Sequence, residues 1–226
     1  MKASGYAVRV DRVRVGAQQF SIRALADLNQ FHDPEGIAEA LGISSAQWPL
    51  FGRLWPSGRV LAEAMADLPL ERADGHGAKR FLELGCGLGL ASIVAHERGG
   101  FVTASDLHPL AGAFLLANTA LNHLAPIAFQ HNDWSGTTAM PGVFDVIMGS
   151  DLLYEERHPD ALAACVARHG HIGTEVLIVD PGRGHGPRFR RALEAYGYEG
   201  DSTPVSPRSY AGIAYRGAMF RYRRLT

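Results

Sequence analysis

From residue 80 onward, short apolar runs alternate with longer stretches of helical period. The runs at 80–84, 101–105, 127–130, 144–149 and 175–179 predict strands. The stretches at 88–97, 109–122, 159–169 and 187–196 predict helices between them. Strand and helix alternating at this spacing imply βαβ units and a parallel sheet. Val146-Ile147-Met148 is apolar throughout, as a strand buried on both faces must be. Residues 201–205 and 213–222 follow the last helix with no helix between them, which predicts an antiparallel pair closing the sheet. Ahead of residue 80 the pattern differs. Residues 6–15 and 20–22 alternate apolar residues with arginines around Gly16-Ala17 and predict a short hairpin. Asp33-Pro34 predicts a capped helix to about Leu41, and Pro49 with residues 52–56 predicts loop. From Ser57, Val60, Leu61, Ala64 and Met65 share one helical face, and residues 71–77 form a polar turn.

Composition narrows the class. At 226 residues one domain is expected, with enough buried surface to need no covalent staples. A charged fraction of 20% beside 46% hydrophobic residues excludes a disordered chain. The net charge of −1 excludes a strongly basic protein built to coat nucleic acid or an anionic membrane. Two cysteines, Cys86 and Cys165, exclude a disulfide framework and a four-cysteine zinc site. Residues 1–15 carry no apolar core of a secretory signal, and no stretch is long and apolar enough to span a bilayer. A cytoplasmic protein is therefore expected, with no nucleic-acid or membrane partner. Lys2 and Lys79 stand against 20 arginines, which fits the coding bias of a GC-rich bacterium better than a functional cause.

The candidate chemistry begins where the first parallel strand ends, in Glu83-Leu84-Gly85-Cys86-Gly87-Leu88-Gly89. A glycine-rich turn between strand and helix lets a ligand approach the backbone at a helix N-terminus. The spacing is G-x-G-x-G. A dinucleotide loop, G-x-G-x-x-G, requires glycine where this chain has Leu90, so a nicotinamide-dependent oxidoreductase does not fit. The loop also lacks a cation for a pyrophosphate. Asp106 ends the second strand about 20 residues on, where a carboxylate binds ribose hydroxyls. With Glu83, it suits a nucleoside that carries an amine and a positive sulfonium.

This loop with Glu83 and Asp106 resembles the first motif and the ribose-binding acid of class I S-adenosyl-L-methionine (SAM) dependent methyltransferases. Further segments narrow the resemblance: Leu54-Trp55-Pro56-Ser57-Gly58, Asn132-Asp133-Trp134 and Ser150-Asp151-Leu152-Leu153-Tyr154. Together they resemble the seven-strand protein-lysine methyltransferases known as methyltransferase family 16, over about residues 55–222. Asp180-Pro181-Gly182-Arg183 resembles the branch that methylates the electron-transfer flavoprotein β subunit.

The resemblance implies a doubly wound α/β fold, a mostly parallel seven-strand sheet of order 3-2-1-4-5-7-6 with the seventh strand antiparallel. Residues 1–54 are then an N-terminal extension over the cofactor face, and 55–226 the methyltransferase domain, within one structural domain. It implies SAM as cofactor and a protein lysine as methyl acceptor. Position by position, Trp55 packs on the methionine end, and Glu83, Gly85, Cys86 and Gly87 form the cofactor loop. Asp106 holds the ribose, Trp134 stacks beside the adenine with Asp133 near its amino group, and Ser150 lines the floor. Asp151 and Tyr154 are the catalytic pair facing the methyl group. The family often has alanine where this chain has Ser150, a difference that removes no chemical group.

Other uses of these residues are open to the sequence. Trp55 and Trp134 also suit ordinary core aromatics, Asp151 suits a helix cap, and Tyr154 a packing residue. Their place at strand ends favours the ligand reading. His158, His169, His171 and His185 invite a metal, but they lack a tight i, i+4 pair and methyl transfer needs none, so no metal is expected. Cys86 suits a tight turn as a small hydrophobe better than a nucleophile. Arg221, Arg223 and Arg224 fit a solvated strand edge, or else a rim that docks an acidic partner. A small-molecule N-methyltransferase and a non-catalytic SAM-binding module are the alternatives. A monomer is expected.

Overall fold

A computed structural model describes residues 5–72, 74–134, 142–210 and 212–226. Met1 to Ser4 of the N-terminal extension and Ala73 of the polar turn lie outside the described residues. Strands β1 (Val8–Val15) and β2 (Gln18–Leu25) form the hairpin, with Gly16 in the left-handed conformation that the first residue of such a turn requires. Its inner face buries Val13, Val15, Phe20, Ile22 and Ala24. Helix α1 is only Ile37–Ala40, shorter than the helix expected from Asp33. Gly36 turns left-handed and breaks the run, so Asp33 caps from further back, its carboxylate accepting the N–H groups of Ala38 and Glu39 at 3.1 and 3.0 Å. A 3-10 turn, Trp48–Gly52, occupies the segment expected as loop and buries Trp48.

Helix α2 (Pro56–Asp67) starts with proline at its first position, where no N–H is missed. The alternation then follows: β3 (Arg80–Leu84), α3 (Leu90–Glu97), β4 (Phe101–Asp106), α4 (Ala111–Leu121), β5 (Ala128–His131) and β6 (Phe144–Ser150). After them come α5 (His158–His169), β7 (Gly170–Asp180), α6 (Gly186–Ala195), β8 (Tyr198–Tyr210) and β9 (Ile213–Arg224). The seven-stranded sheet has the order β5-β4-β3-β6-β7-β9-β8, the expected one, with β9 antiparallel to both neighbours. β7 starts at Gly170, earlier than the apolar pattern suggested. Its pairing with β6 steps from Phe144–Gly170 to Val146–Glu175, so residues 171–174 bulge and regular pairing starts where the apolar run does. β8 runs through Pro204 and Pro207, which an edge strand tolerates because its outer N–H groups need no partner.

Two apolar cores flank the sheet. One gathers the hairpin, α2, α3 and α4 around Leu61, Ile93 and Phe114; the other packs α5 and α6 through Leu162 and Phe189. Strand order reverses at β3, which pairs with β4 on one side and β6 on the other. In open α/β sheets such a switch point leaves a crevice beyond the C-terminal strand ends, and it places Leu84, Asp106 and Ser150 around one opening. Among the described residues no helix is long and apolar enough to cross a membrane.

Candidate active site

A cleft of about 550 Å³ opens at that switch point, a volume suited to a nucleoside-sized ligand. It brings together the eleven residues singled out from the sequence: Trp55, Glu83, Gly85, Cys86, Gly87, Asp106, Asp133, Trp134, Ser150, Asp151 and Tyr154.

The loop after β3 leaves no room for side chains at its first two glycines. Gly85 and Gly87 hold φ of +61° and +53°. A Cβ on Gly85 would lie 2.5 Å from Leu152 Cδ2, and one on Gly87 would lie 2.9 Å from the carbonyl oxygen of Phe51. Both strain and space therefore demand glycine, and backbone lines the opening. Cys86 is buried between them, and burial pushes its thiol well up, so it stays a neutral packing group.

Two carboxylates hold this loop. Glu83 Oε2 accepts hydrogen bonds from the N–H and hydroxyl of Ser92, in the first turn of α3. An acid at a helix N-terminus is favoured there, yet complete burial pushes Glu83 up to about 7. Asp106 Oδ2 accepts the Gly87 N–H at 2.7 Å and its Oδ1 accepts the His108 N–H at 2.8 Å. Burial raises this carboxyl too, against those two bonds. Both acids were expected to meet the ligand directly; in the structure they also fix the loop that would receive it.

The aromatic walls divide the three tryptophans by environment. Trp48 is buried and packs on Tyr6, Phe31, Phe51 and His108. Trp55 and Trp134 are half-buried on the cleft wall. Trp55 donates its indole N–H to the Leu50 carbonyl at 2.9 Å, under the Arg53 guanidinium. Trp134 Cζ2 comes within 3.8 Å of the Cβ position of Gly85 and stands 5.1 Å from the His158 ring. Phe51 stacks on His108 at 3.8 Å, in a part of the cleft that sequence reasoning missed. Burial lowers His108 to about 3, which keeps it neutral.

The far side of the cleft is built by the ends of β6 and β7. Gly58, in the first turn of α2, approaches Ser150, whose Oγ would stand 3.4 Å from a Cβ there. Asp151 follows with φ +58°, an uncommon backbone state that Asp and Asn tolerate better than other side chains. Its Oδ1 receives both Nε and Nη2 of Arg183, at 2.9 and 2.8 Å. Arg183 stands out in the sequence only within the Asp180-Pro181-Gly182-Arg183 segment that resembles one branch of the family; its pairing with Asp151 was not foreseen. Asp180 shapes that turn, Oδ2 accepting the N–H groups of Gly182 and Arg183 at 2.7 and 3.2 Å. Tyr154 lies edge-on to His158 at 4.4 Å, and burial pushes its phenol up, so its O–H can donate. His158 Nδ1 is 2.8 Å from the Leu152 carbonyl and so carries the proton. His169 packs on Phe144 and His171 meets Asp145, away from His158. Among the described residues no three metal-ligating side chains are gathered.

The sequence matches the family model described as lysine methyltransferase over residues 44–186. It is similar to the electron transfer flavoprotein beta subunit lysine methyltransferase of Xenopus laevis, 36% identical over 138 residues, covering 60% of this chain and 53% of that protein. The chain thus spans about half the length of the curated flavoprotein-methylating relatives it matches. A ubiquinone biosynthesis O-methyltransferase of Cronobacter sakazakii is 27% identical over 221 residues, covering 84% of this chain and 87% of that protein. Among solved structures, the 16S rRNA N2 G1207 methyltransferase of T. thermophilus, in complex with AdoMet and guanosine, superposes with a TM-score of 0.63. It is 17% identical and covers 96% of this chain and 51% of that one, a likeness of fold.

Proposed function

From the premise that this chain belongs to the lysine methyltransferase family, we propose that it transfers a methyl group from SAM to the side-chain amine of a protein lysine. SAM is the cofactor. The residues present fit it: a left-handed glycine turn that puts backbone rather than side chains on the cleft wall, an acid beyond it, and no cation in the loop to invite a pyrophosphate. The observation that carries the acceptor reading is Asp151, a carboxylate held in a left-handed turn on the same cleft as that glycine loop.

When bound, SAM supplies an electrophilic methyl carbon on a cationic sulfur. Gly85 and Gly87 would admit it close to the backbone, and Asp106 would accept hydrogen bonds from the ribose hydroxyls. Trp134 would stack beside the adenine with Asp133 near its amino group. Trp55 and Ser150 would bound the methionine end. Asp151 orients the arriving amine, and Tyr154 walls its channel and offers one hydrogen bond. The protein's work is alignment in a site that excludes water. We divide the chain into an N-terminal extension, residues 1–54, whose Leu41, Ile43, Gln47, Leu50 and Phe51 line the cleft, and a methyltransferase domain, residues 55–226.

By analogy with its relatives, the acceptor is the electron-transfer flavoprotein β subunit of the host. The test is tritiated methyl transfer to that recombinant subunit, followed by peptide mass spectrometry. Label on a lysine that disappears in Asp151→Asn supports the reading. Label on another residue type, or none in the protein and label in small molecules instead, ends it.

A further inference from the structure

A lysine amine reaches this cleft as an ammonium, and an ammonium has no lone pair to offer. It must first give a proton to water; only the neutral amine then forms the nitrogen–carbon bond, while the carbon–sulfur pair leaves with sulfur. A lone carboxylate beside the amine works against that loss, because it stabilises the cation. Asp151 is not alone. Arg183 sits on Oδ1 through two nitrogens, and Oδ2 takes no part in those bonds. The pair is nearly neutral as seen by an arriving amine, yet it keeps a carboxylate oxygen for one of its N–H bonds.

We propose that Arg183 is a positioning residue that cancels the charge of Asp151, so that the acceptor site selects and keeps the neutral, nucleophilic amine. This inference rests on the amine-acceptor reading above. The geometry is built for the purpose. Asp180, 2% exposed, ties the N–H groups of Gly182 and Arg183 and so sets where the guanidinium emerges. The Asp151 side chain is 10% exposed and that of Arg183 42%, so the carboxylate is shielded from solvent while the guanidinium reaches it from the rim. Other charged and titratable groups face the pair from each neighbouring element. Asp180 comes from β7 and Tyr215 from β9, and Tyr154 follows β6; each of them feels the Asp151 charge. Glu155, Arg157 and His158 stand at the start of α5, His185 precedes α6, and Arg53 precedes α2. Arg183 is the cation in contact with the carboxylate.

The test compares wild type, Arg183→Gln and Arg183→Lys, each saturated with S-adenosylhomocysteine and titrated calorimetrically with n-butylamine between pH 7 and pH 10.5. Wild-type affinity should rise with pH as the neutral amine accumulates below its ordinary value of about 10.4. Arg183→Gln should bind at pH 7 as tightly as at high pH or more so, because its bare carboxylate takes the cation. Arg183→Lys should follow wild type. In single-turnover methylation of the flavoprotein β subunit, Arg183→Gln should move the rise of rate with pH upward by about one unit, roughly a tenfold loss at neutral pH. Superimposable amine-binding profiles overturn the proposal. So does a rate lowered equally at every pH, which marks a structural role, or a rate increased at pH 7, which marks a plug. Separated amine profiles with no methylation of the β subunit by wild type support the role of Arg183 and reject the acceptor instead.

Discussion

The two sides of the cleft hold their carboxylates by different means. On the glycine-loop side, Glu83 and Asp106 are bound by backbone N–H groups and one serine hydroxyl. On the far side, Asp151 is bound by the guanidinium of a residue 32 positions later. Backbone donors are fixed by the fold itself, so the first side is rigid and suits a cofactor that is always the same. The side-chain ion pair engages one carboxylate oxygen and tunes the charge of the other, so the second suits the step in which an amine arrives, reacts and leaves. Changes on the first side should therefore register in folding and cofactor affinity, and changes on the second in turnover.

The sharpest break of that comparison is Asp151→Asn. Asparagine tolerates the +58° backbone and keeps size and one acceptor, so the variant should fold. Single-turnover methyl transfer at saturating SAM should fall a hundredfold to a thousandfold, about 3–4 kcal/mol of transition-state stabilisation. Calorimetric affinity for S-adenosylhomocysteine should stay within a few-fold. A rate within a few-fold of wild type would return Asp151 to a purely structural turn.

On the loop side, Glu83 predicts an unusual pH dependence. Its carboxyl titrates at about 7 in the folded protein against 4.5 ordinarily, chiefly through burial. Between those values the folded protein keeps a proton that the unfolded chain has released. The contribution is complete below about pH 4.5 and is lost as pH rises through 7, roughly 3 kcal/mol in all. Glu83→Gln, which retains an acceptor for Ser92, should flatten that decline. Urea unfolding of both proteins at pH 5 and pH 8 measures it, and equal slopes would show that Glu83 ionises without cost.

How far the sequence led follows the same division. The loop, Asp106 and the strand order were readable because their signals are local: glycine spacing, an acid at a strand end, apolar runs of strand length. Arg183 on Asp151 was not, because nothing in either segment names its partner. How the N-terminal hairpin docks was hidden for the same reason. Asn118 and Asn122 on α4 accept the N–H groups of Arg23 and Ser21 and so dock the hairpin across nearly a hundred residues. Trp48 carried no motif, and its burial depends on Tyr6, Phe31 and His108 arriving from three other segments. The shortened α1 was readable in principle, since Gly36 stands inside the expected helix.

Asp106→Ala should weaken S-adenosylhomocysteine binding about tenfold to a hundredfold, or 1.5–3 kcal/mol, the worth of hydrogen bonds to a charged group. The Gly87 and His108 N–H groups lose their acceptor as well, so a modest drop in melting temperature should accompany it. Calorimetry that finds the affinity unchanged would remove Asp106 from the ligand and leave it as a loop clamp.

The smallest effect separates wall from core. Trp134 is half-buried, touches the other apolar core only at its margin, and faces the glycine loop. An adenine beside its ring would contribute about 0.5–1.5 kcal/mol beyond buried area. Trp134→Ala should therefore weaken S-adenosylhomocysteine about threefold to tenfold and move the ligand-free melting temperature little. Trp48→Ala is the contrasting control, because its ring is 1% exposed among four aromatic neighbours. Removing it should cost about 3–5 kcal/mol of stability. Thermal melts with and without S-adenosylhomocysteine read both quantities in one experiment. If Trp134→Ala instead collapses the ligand-free melt while the folded fraction binds normally, the tryptophan belongs to the core and the adenine is held by other groups on that wall.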